Sequence, residues 1–342
     1  MMAAGIYPGG DMSPEQPSPD IVWALSTAGF AARCLHVVAD LGVADRIGDQ
    51  PVLISELAVS CGADPDALDR VLRLLTTHGI FEQQQAGYAH SPSSRLLRSD
   101  HPMTMRPFAQ MMGLPFIWGS LAELQHSVRT GEPAIEVLEP KGVFAYLQDR
   151  PDEAEIFGRA MTAKASLDVG AVVSVYDFTR FRRIADIGGG RGHLLRAILT
   201  ATPSADGILF DLPVVIDALG DQNQLRLTLQ AGDFFVDALP SADAYVLMEV
   251  LHDWPDEQCV AILRAIRRAA PPKATVLVVE DLMPDEQAES SASTLDVIML
   301  AVTGGRERTV DQLSSLFDRA GFRLTGVIDT ASSMHIVAAT LV

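Results

Sequence analysis

The residues with the clearest chemical meaning form a glycine-rich segment, DIGGGRGH, between a predicted strand and a predicted helix. Gly188, Gly190 and Gly192 allow the main chain to pass close to a ligand and to direct amide N–H groups toward it. Nineteen residues beyond Gly192, at the end of the next predicted strand, stands Asp211. A carboxylate at this place can accept hydrogen bonds from both hydroxyls of a ribose. Together these residues predict a site for a nucleoside cofactor.

The acid that precedes the glycines indicates which cofactor fits. Dinucleotide sites usually have the spacing G-x-G-x-x-G, whereas this segment reads G-x-G-x-G with Asp186 two residues before the first glycine. Asp186 would repel a pyrophosphate, but its charge suits a ligand that carries an ammonium and a sulfonium. S-adenosylmethionine is such a ligand, and we predict it as the cofactor.

A third predicted strand ends in Gly232, Asp233 and Phe234. In an open parallel sheet, ligands bind at the carboxyl ends of the strands, so these residues are expected at the same site. There Asp233 can accept a hydrogen bond from the adenine amino group, and Phe234 can cover the ring. A simple turn acid is the alternative interpretation of Asp233.

A histidine follows the fourth predicted strand, in the segment MEVLHDWPDE. His252 is therefore expected where an acceptor would bind, and an imidazole titrates near neutrality, so it can take the proton of a phenol. Glu280 closes the fifth predicted strand, and Glu307 lies just ahead of a helix. Either acid can hold the imidazole in its useful tautomer, although each can also be a helix cap or a solvated charge.

A helical stretch ahead of the glycine-rich segment is rich in methionine and aromatic residues. Such side chains adapt to irregular apolar ligands, but they fill a core or a dimer interface equally well. We predict that they form the wall of an apolar acceptor pocket. The candidates are Met111, Met112, Phe116, Trp118, Phe157 and Met161.

The amino-terminal elements read as a winged helix. Apolar periodicity predicts three short helices, and the third begins at Asp64-Pro65, a helix cap followed by proline, and ends at Gly79. The segment after it alternates around a glycine and predicts a two-stranded wing. We expect residues 1–20 to be a flexible tail and residues 21–100 to be this winged-helix domain.

The rest of the chain divides into two further segments. Residues 101–180 are predicted to form the helical acceptor wall and linker, and residues 181–342 the cofactor-binding domain. In the latter, short apolar runs alternate with helical segments, which predicts a doubly wound, mostly parallel α/β sheet. The last two strands are separated by only a few residues, so we expect an antiparallel strand at the sheet edge.

Composition limits the possible partners. The 342 residues include 26 Lys plus Arg and 44 Asp plus Glu, a net charge of −18 that disfavours nucleic acid and anionic lipid. The longest apolar runs are far shorter than the roughly 20 residues of a membrane span. With no signal-like start, and three cysteines without metal-ligand spacing, we expect a cytoplasmic protein that holds no metal.

A winged helix also suggests a DNA-binding regulator as a rival function. Its third helix, DPDALDRVLRLLTTHG, has two arginines against three aspartates, and this charge balance disfavours DNA binding.

The chain contains five motifs in this order: DIGGGRGHLL, FDLP, AGDFF, LHDWPDE and MLAVTGGRERT. With them it resembles the class I S-adenosylmethionine-dependent O-methyltransferases. These enzymes are related to plant caffeate and hydroxyindole O-methyltransferases and to bacterial polyketide-tailoring enzymes. The resemblance covers about residues 21–342. It implies methyl transfer to a hydroxyl of an apolar, aromatic small molecule, without a metal, by a homodimer assembled through the winged-helix domain. It also implies that His252 is the base, flanked by Glu280 and Glu307. The cofactor would be held by Gly188, Asp211, Asp233 and Phe234.

The chain departs from this pattern just ahead of the VLHDW run. Many relatives carry Lys or Arg there, where it contacts the cofactor, whereas this chain has Met248 and Glu249. Some members have also lost methyl transfer, so a catalytically silent or altered cofactor-binding homologue is the alternative. Retention of His252 argues against it.

Overall fold

The computed structural model describes residues 18–220, 226–284 and 291–342. Its contacts divide the chain into two compact units, Met1–Leu114 and Pro115–Val342.

The first unit is helical and carries a short hairpin. The third predicted helix begins as expected, because the Asp64 side chain accepts a hydrogen bond from the Ala67 N–H at 2.9 Å. Gly79 follows that helix with φ of 74°, a left-handed conformation that favours glycine. The elements are α1 (Pro19–Leu41), α2 (Ile54–Cys61), α3 (Pro65–Thr77), β1 (Glu82–Gln84), β2 (Gly87–Ala89), α4 (Pro92–Arg95) and α5 (Arg106–Met112), with a 3-10 turn at Val43–Arg46.

Helix α1 exposes large apolar side chains, among them Val22, Trp23, Leu25 and Phe30. By length and composition alone it would suffice to cross a membrane, a test that signal sequences and core helices of other proteins also pass. The exposed side chains therefore require a covering partner of some kind.

The second unit begins with helices and continues as a sheet. The helices before the sheet are α6 (Pro115–Ala122), α7 (Leu124–Thr130), α8 (Val143–Gln148) and α9 (Pro151–Val175), with a 3-10 turn at Ala134–Val137. The strands are β3 (Arg183–Ile187), β4 (Asp206–Asp211), β5 (Leu227–Ala231), β6 (Ala244–Met248), β7 (Thr275–Asp281), β8 (Phe322–Asp329) and β9 (Met334–Leu341). The helices among them are α10 (His193–Ala201), α11 (Pro213–Leu219), α12 (Asp256–Ala269), α13 (Ser291–Val302) and α14 (Val310–Ala320).

The strand order β5-β4-β3-β6-β7-β9-β8 confirms the doubly wound, mostly parallel sheet. Its central strands are buried on both faces, which is why they read as continuous apolar runs; every residue of β7 is buried. The predicted hairpin lies at the edge, where β9 runs antiparallel to both β7 and β8. Of the two, β8 is outermost.

The order of the strands also places the site. Connections run from β3 outward through β4 and β5, and then return to β6 on the other side of β3. This reversal makes the carboxyl ends of β3 and β6 a topological switch point, where open α/β sheets bind ligands. The glycine-rich segment follows β3 and His252 follows β6, so the two predicted sites lie side by side.

Candidate active site

The glycine-rich segment forms a tight turn between β3 and α10. Gly188, Gly190 and Gly192 have φ angles of 70°, 57° and 73°, which other residues adopt with strain. The Gly190 N–H donates to Asp211 Oδ2 at 2.7 Å. The Leu212 N–H donates to the other carboxylate oxygen, also at 2.7 Å. The structure therefore joins the turn directly to the acid that was predicted to bind ribose.

Burial raises the pKa of Asp211, while the hydrogen bonds from Gly190 and Leu212 oppose that rise. The two backbone donors fix the carboxylate but do not exhaust it, since each oxygen can accept a second hydrogen bond. Asp211 is thus held in one orientation with capacity left for a ligand.

Asp186 lies beneath the glycine turn, with 1% of its surface exposed. A Cβ on Gly189 would overlap its carboxyl carbon, so only glycine permits the turn to close over this acid. Burial, and then the charge of Asp211, raise the pKa of Asp186 to about 7. Its Oδ1 has no hydrogen-bond partner among the described residues. The Asp186 carboxyl group therefore packs against the glycine turn. Its direct contact with a ligand stays a prediction.

The end of β5 meets the same turn. A Cβ on Gly188 would lie 3.7 Å from the ring of Phe234, so the aromatic predicted to cover adenine borders the first glycine. Phe234 also packs edge-on against Trp254 with ring centroids 5.9 Å apart. The Gly232 N–H donates to the Asp211 carbonyl at 2.9 Å, which ties the two strand ends together.

Asp233 uses one side-chain oxygen within its own turn, where it accepts from the Phe235 N–H at 2.8 Å. This is the turn-acid arrangement named as the alternative, and the other oxygen remains available. Its role toward adenine stays a prediction.

His252 lies in a 3-10 turn, Leu251–Asp253, directly after β6. Its Nδ1 donates to Glu307 Oε1 at 2.8 Å, and its backbone N–H donates to Glu280 Oε1 at 3.1 Å. The two glutamates predicted to flank the histidine thus have different partners. Glu307 orients the imidazole, and because its hydrogen bond occupies Nδ1, Nε2 carries the lone pair in the neutral ring. Glu280 holds the backbone.

Asp253 is a neighbour that the sequence analysis did not assign. Its Oδ1 lies 3.8 Å from Nε2 of His252. Burial works to lower the pKa of His252, but the charge of Asp253, the hydrogen bond to Glu307 and the charge of Glu280 outweigh it and raise that pKa to about 9. In the sequence, Asp253 is marked only by its position next to His252. That position alone does not predict that its carboxylate approaches the imidazole.

Arg308 was also missed, although it belongs to the quoted motif TGGRERT. Its buried guanidinium donates to the carbonyls of Leu251 and Trp254, at 2.9 and 2.7 Å, on either side of the histidine. The Arg306 N–H donates to the His252 carbonyl at 2.9 Å. The segment that carries Glu307 therefore clamps the backbone of the histidine turn as well as its ring.

The predicted acceptor wall is divided by the structure. Phe116 is 1% exposed and packs against Tyr146 with ring centroids 5.5 Å apart, which favours a core role. The half-buried candidates of the second unit are Trp118, Phe157 and Met161. In the first unit, Met111 is buried and Met112 half-buried.

An ion pair lies at the same end of the sheet. The Lys164 ammonium, on α9, binds the carboxylate of Glu249, which directly follows β6. In the sequence, Glu249 stands out only as a departure from the family pattern, and no sequence signal indicates its partner.

In the described part of the chain, no group of three or more His, Cys, Asp or Glu side chains is arranged to hold a metal ion. The site is defined instead by a glycine turn with two acids and by an imidazole fixed to a carboxylate. A sheet of this order, with a glycine turn at its switch point, is typical of enzymes that bind a nucleoside cofactor at the carboxyl ends of the strands.

Comparisons with known proteins specify the class further. Residues 121–323 match the family model of the O-methyltransferase domain, and residues 23–100 match that of the O-methyltransferase dimerisation domain. Phenazine O-methyltransferase PhzM from Lysobacter antibioticus is 38% identical over 94% of this chain and 96% of its own. The chain belongs to the O-methyltransferase family.

Solved structures agree. The crystal structure of LaPhzM matches with a TM-score of 0.90 and 38% identity, covering 96% of this chain and 100% of that one. NcsB1, an O-methyltransferase from neocarzinostatin biosynthesis in complex with S-adenosylmethionine and 2-hydroxy-5-methyl naphthoic acid, matches with a TM-score of 0.79 and 32% identity, covering 92% and 96%.

The predicted class is thus confirmed: the protein is an S-adenosylmethionine-dependent O-methyltransferase with an α/β catalytic domain. The dimerisation match covers most of α1, so its exposed apolar side chains are explained by a homodimer. The match to the dimerisation domain supports dimerisation as the role of the winged helix, rather than the rival interpretation as a DNA-binding regulator.

Proposed function

We propose that this enzyme methylates a hydroxyl of an apolar, aromatic small molecule and that His252 is the general base. The observation that carries the proposal is the 2.8 Å hydrogen bond from Nδ1 of His252 to Glu307, at the switch point of the sheet and beside the glycine turn. A base needs a partner that fixes its tautomer and stabilises its protonated form, and Glu307 does both.

The chain's residues fit the cofactor. Buried Asp186, whose Oδ1 has no partner among the described residues, and half-buried Asp211 place negative charge around the glycine turn, which suits a cationic ligand. Asp211 would hold the ribose, Phe234 and Asp233 the adenine, and the glycine turn the amino-acid end. When bound, S-adenosylmethionine supplies an electrophilic methyl group on a sulfonium.

The remaining chemistry falls to His252. Its Nε2 would take the proton from the acceptor hydroxyl, and the resulting imidazolium is stabilised by Glu307 and Asp253. With a pKa of about 9, the imidazole is largely protonated at neutral pH before ligands bind. A positive charge in the neighbouring cofactor site would lower the pKa of His252, because like charges disfavour each other. Cofactor binding would therefore favour the neutral, proton-accepting form of the ring.

The acceptor would lie against the apolar side chains that precede the sheet. Trp118, Phe157 and Met161 are half-buried, as expected of side chains that line a pocket. We propose residues 101–180 as the acceptor wall; in the sequence this segment follows the dimerisation domain (21–100) and precedes the cofactor-binding domain (181–342). We also propose a cytoplasmic location, since the described cysteines, Cys34, Cys61 and Cys259, are free thiols.

The test is a methyl-transfer assay with the full chain, labelled S-adenosylmethionine and a panel of phenols, naphthols, flavonoids, polyketide aglycones and matching anilines. Transfer to hydroxyl acceptors supports the proposal. Transfer to the anilines alone would replace it with N-methylation. Cofactor binding without transfer to any acceptor would support the catalytically silent alternative.

A further inference from the structure

Helix α9 carries the cation of the ion pair on the same face as two of the predicted acceptor residues. Phe157, Met161, Lys164 and Asp168 are spaced by four, three and four residues, which aligns them along one side of a helix. Phe157, Met161 and Lys164 are half-buried and Asp168 is buried. This face therefore has two apolar side chains, followed by a positive charge and then a buried acid.

The Lys164 ammonium lies at the carboxyl end of β6. Its partner Glu249 follows β6. Burial lowers the pKa of Lys164, whereas the charges of Asp168, Glu307 and Asp281 raise it. Glu307 is the residue that orients His252. Lys164 therefore lies within electrostatic reach of the catalytic histidine's own partner.

Lys164 is unusual for this chain. The sequence has three lysines, and of these Lys141 and Lys273 are exposed, whereas the side chain of Lys164 is 22% exposed. An ammonium has three donors, and the pair with Glu249 engages one carboxylate oxygen, so donors remain for a second anion.

Glu249 is held at this position by a strained main chain. Its φ is 54°, in the left-handed region that glutamate rarely adopts, while its N–H still donates to the Val279 carbonyl at 3.0 Å. Strain of this kind persists where the surrounding structure imposes it, and it is concentrated at functional sites. The conformation directs a carboxylate toward the only half-buried lysine of the described chain.

We propose that Lys164 binds an anionic substituent of the acceptor, a carboxylate near the hydroxyl that is methylated, and that Glu249 competes with that substituent for the ammonium. This inference rests on the proposed function and specifies its acceptor as a hydroxylated aromatic acid. The apolar face of α9 then receives the ring and Lys164 the acid group. Glu249 sets how strongly acids are preferred over neutral acceptors.

The test compares 2-hydroxy-1-naphthoate with its neutral amide, at saturating S-adenosylmethionine, as the ratio of their kcat/KM values. Lys164→Met should lower the acid-to-amide ratio of kcat/KM about tenfold to a hundredfold. This is the change in affinity usually produced by loss of a hydrogen bond between charged groups. Lys164→Arg should restore part of it. Glu249→Gln removes the competing anion and should raise the ratio.

A purely structural ion pair predicts a different pattern, because either substitution would then affect the acid and the amide equally and leave the ratio of their kcat/KM values unchanged. That result would overturn the inference. Lys141→Met, at an exposed lysine of the same unit, is the matched control and should not move the ratio.

Calorimetric titration of the naphthoate into enzyme loaded with S-adenosylhomocysteine gives the same comparison without turnover. Weaker binding in Lys164→Met than in the wild type supports the inference, and equal binding contradicts it. If the wild type methylates none of the wider phenol panel, the proposed function fails, whichever way the naphthoate binds. If it methylates phenols but the ratio and the binding are unaffected by Lys164→Met, only the inference fails.

Discussion

The cofactor half of the cleft, at the ends of β3, β4 and β5, is built mainly by the backbone, whereas the base half, at the ends of β6 and β7, is built by buried side chains. In the first half, glycine conformations and amide donors hold Asp211, and the two donors lie 21 residues and one residue away. In the second half, His252 is held by Glu280 and Glu307, which lie 28 and 55 residues away.

This difference separates two kinds of constraint. The cofactor half depends on the absence of side chains at the glycines, and it should bind its ligand whether or not His252 is present. The base half depends on several charges in a buried space, so a change in one of these charges alters the others. Substitutions in the two halves should therefore affect different measured quantities.

The largest effect is expected from His252→Ala. Removing the proposed base should lower kcat by about 10²-fold to 10⁴-fold, while the dissociation constant of the cofactor changes little. Steady-state kinetics and calorimetry measure the two quantities separately. His78→Ala, at an exposed histidine, is the control. Unchanged turnover in His252→Ala would remove the histidine from the mechanism.

Gly305→Ala tests the clamp around the histidine turn. A Cβ at this position would overlap the His252 carbonyl oxygen and come within 2.7 Å of the Trp254 nitrogen, so the turn must move. A displacement of about 1 Å at a catalytic group can cost roughly 10²-fold in kcat. Gly170→Ala, in open space on α9, is the control and should retain activity. Normal kcat in Gly305→Ala would show that the turn tolerates movement.

Asp211→Ala tests the cofactor half. It removes the acceptor of the Gly190 and Leu212 amides and the predicted ribose ligand, so the cofactor's dissociation constant should rise roughly tenfold to a hundredfold. Asp206→Ala, at the exposed opposite end of the same strand, is the control. Unaltered cofactor binding, measured by calorimetry, would contradict the ribose assignment.

The smallest effect is a pH dependence of cofactor binding. Burial and the charge of Asp211 raise the pKa of Asp186 to about 7, so below that pH the free enzyme carries a neutral acid under the turn. A cationic ligand favours the ionised form, and binding should tighten by up to about tenfold from pH 6 to pH 8 as the proton no longer has to be released.

Asp186→Asn separates this group from His252 and from Glu280, since burial also raises the pKa of Glu280 to about 7 and that of His252 is raised to about 9. The variant should lose the part of the pH dependence between pH 6 and pH 8. Calorimetry in two buffers of different ionisation enthalpy measures the released proton directly. An identical pH profile in the variant would assign the dependence to the other two groups.

The sequence predicted most of the fold because its signals are local. The apolar runs of the buried strands, the cap at Asp64 and the left-handed Gly79 all depend on near neighbours, and the structure has them as expected. The spacing of the glycines and Asp211 is similarly local, since it follows from one strand, turn and helix.

The base half was only partly predictable. His252, Glu280 and Glu307 could be named from their places at strand and helix ends, but not which glutamate binds the ring. Asp253, Arg308 and Lys164 became visible only in three dimensions, because charge pairing between distant segments leaves no periodic pattern in the sequence. The core position of Phe116 could not be predicted either, since apolar composition does not distinguish the wall of a pocket from the packed core.

Catalysis in this account requires that His252, in the base half, acts on an acceptor held beside the cofactor in the cofactor half. A crystal structure of the enzyme with S-adenosylhomocysteine and 2-hydroxy-1-naphthoate tests it most directly. We predict the adenosyl group over the glycine turn and the acceptor hydroxyl within about 3.2 Å of Nε2 of His252. A cofactor bound away from that turn, or an imidazole with no path to the acceptor oxygen, would contradict the account.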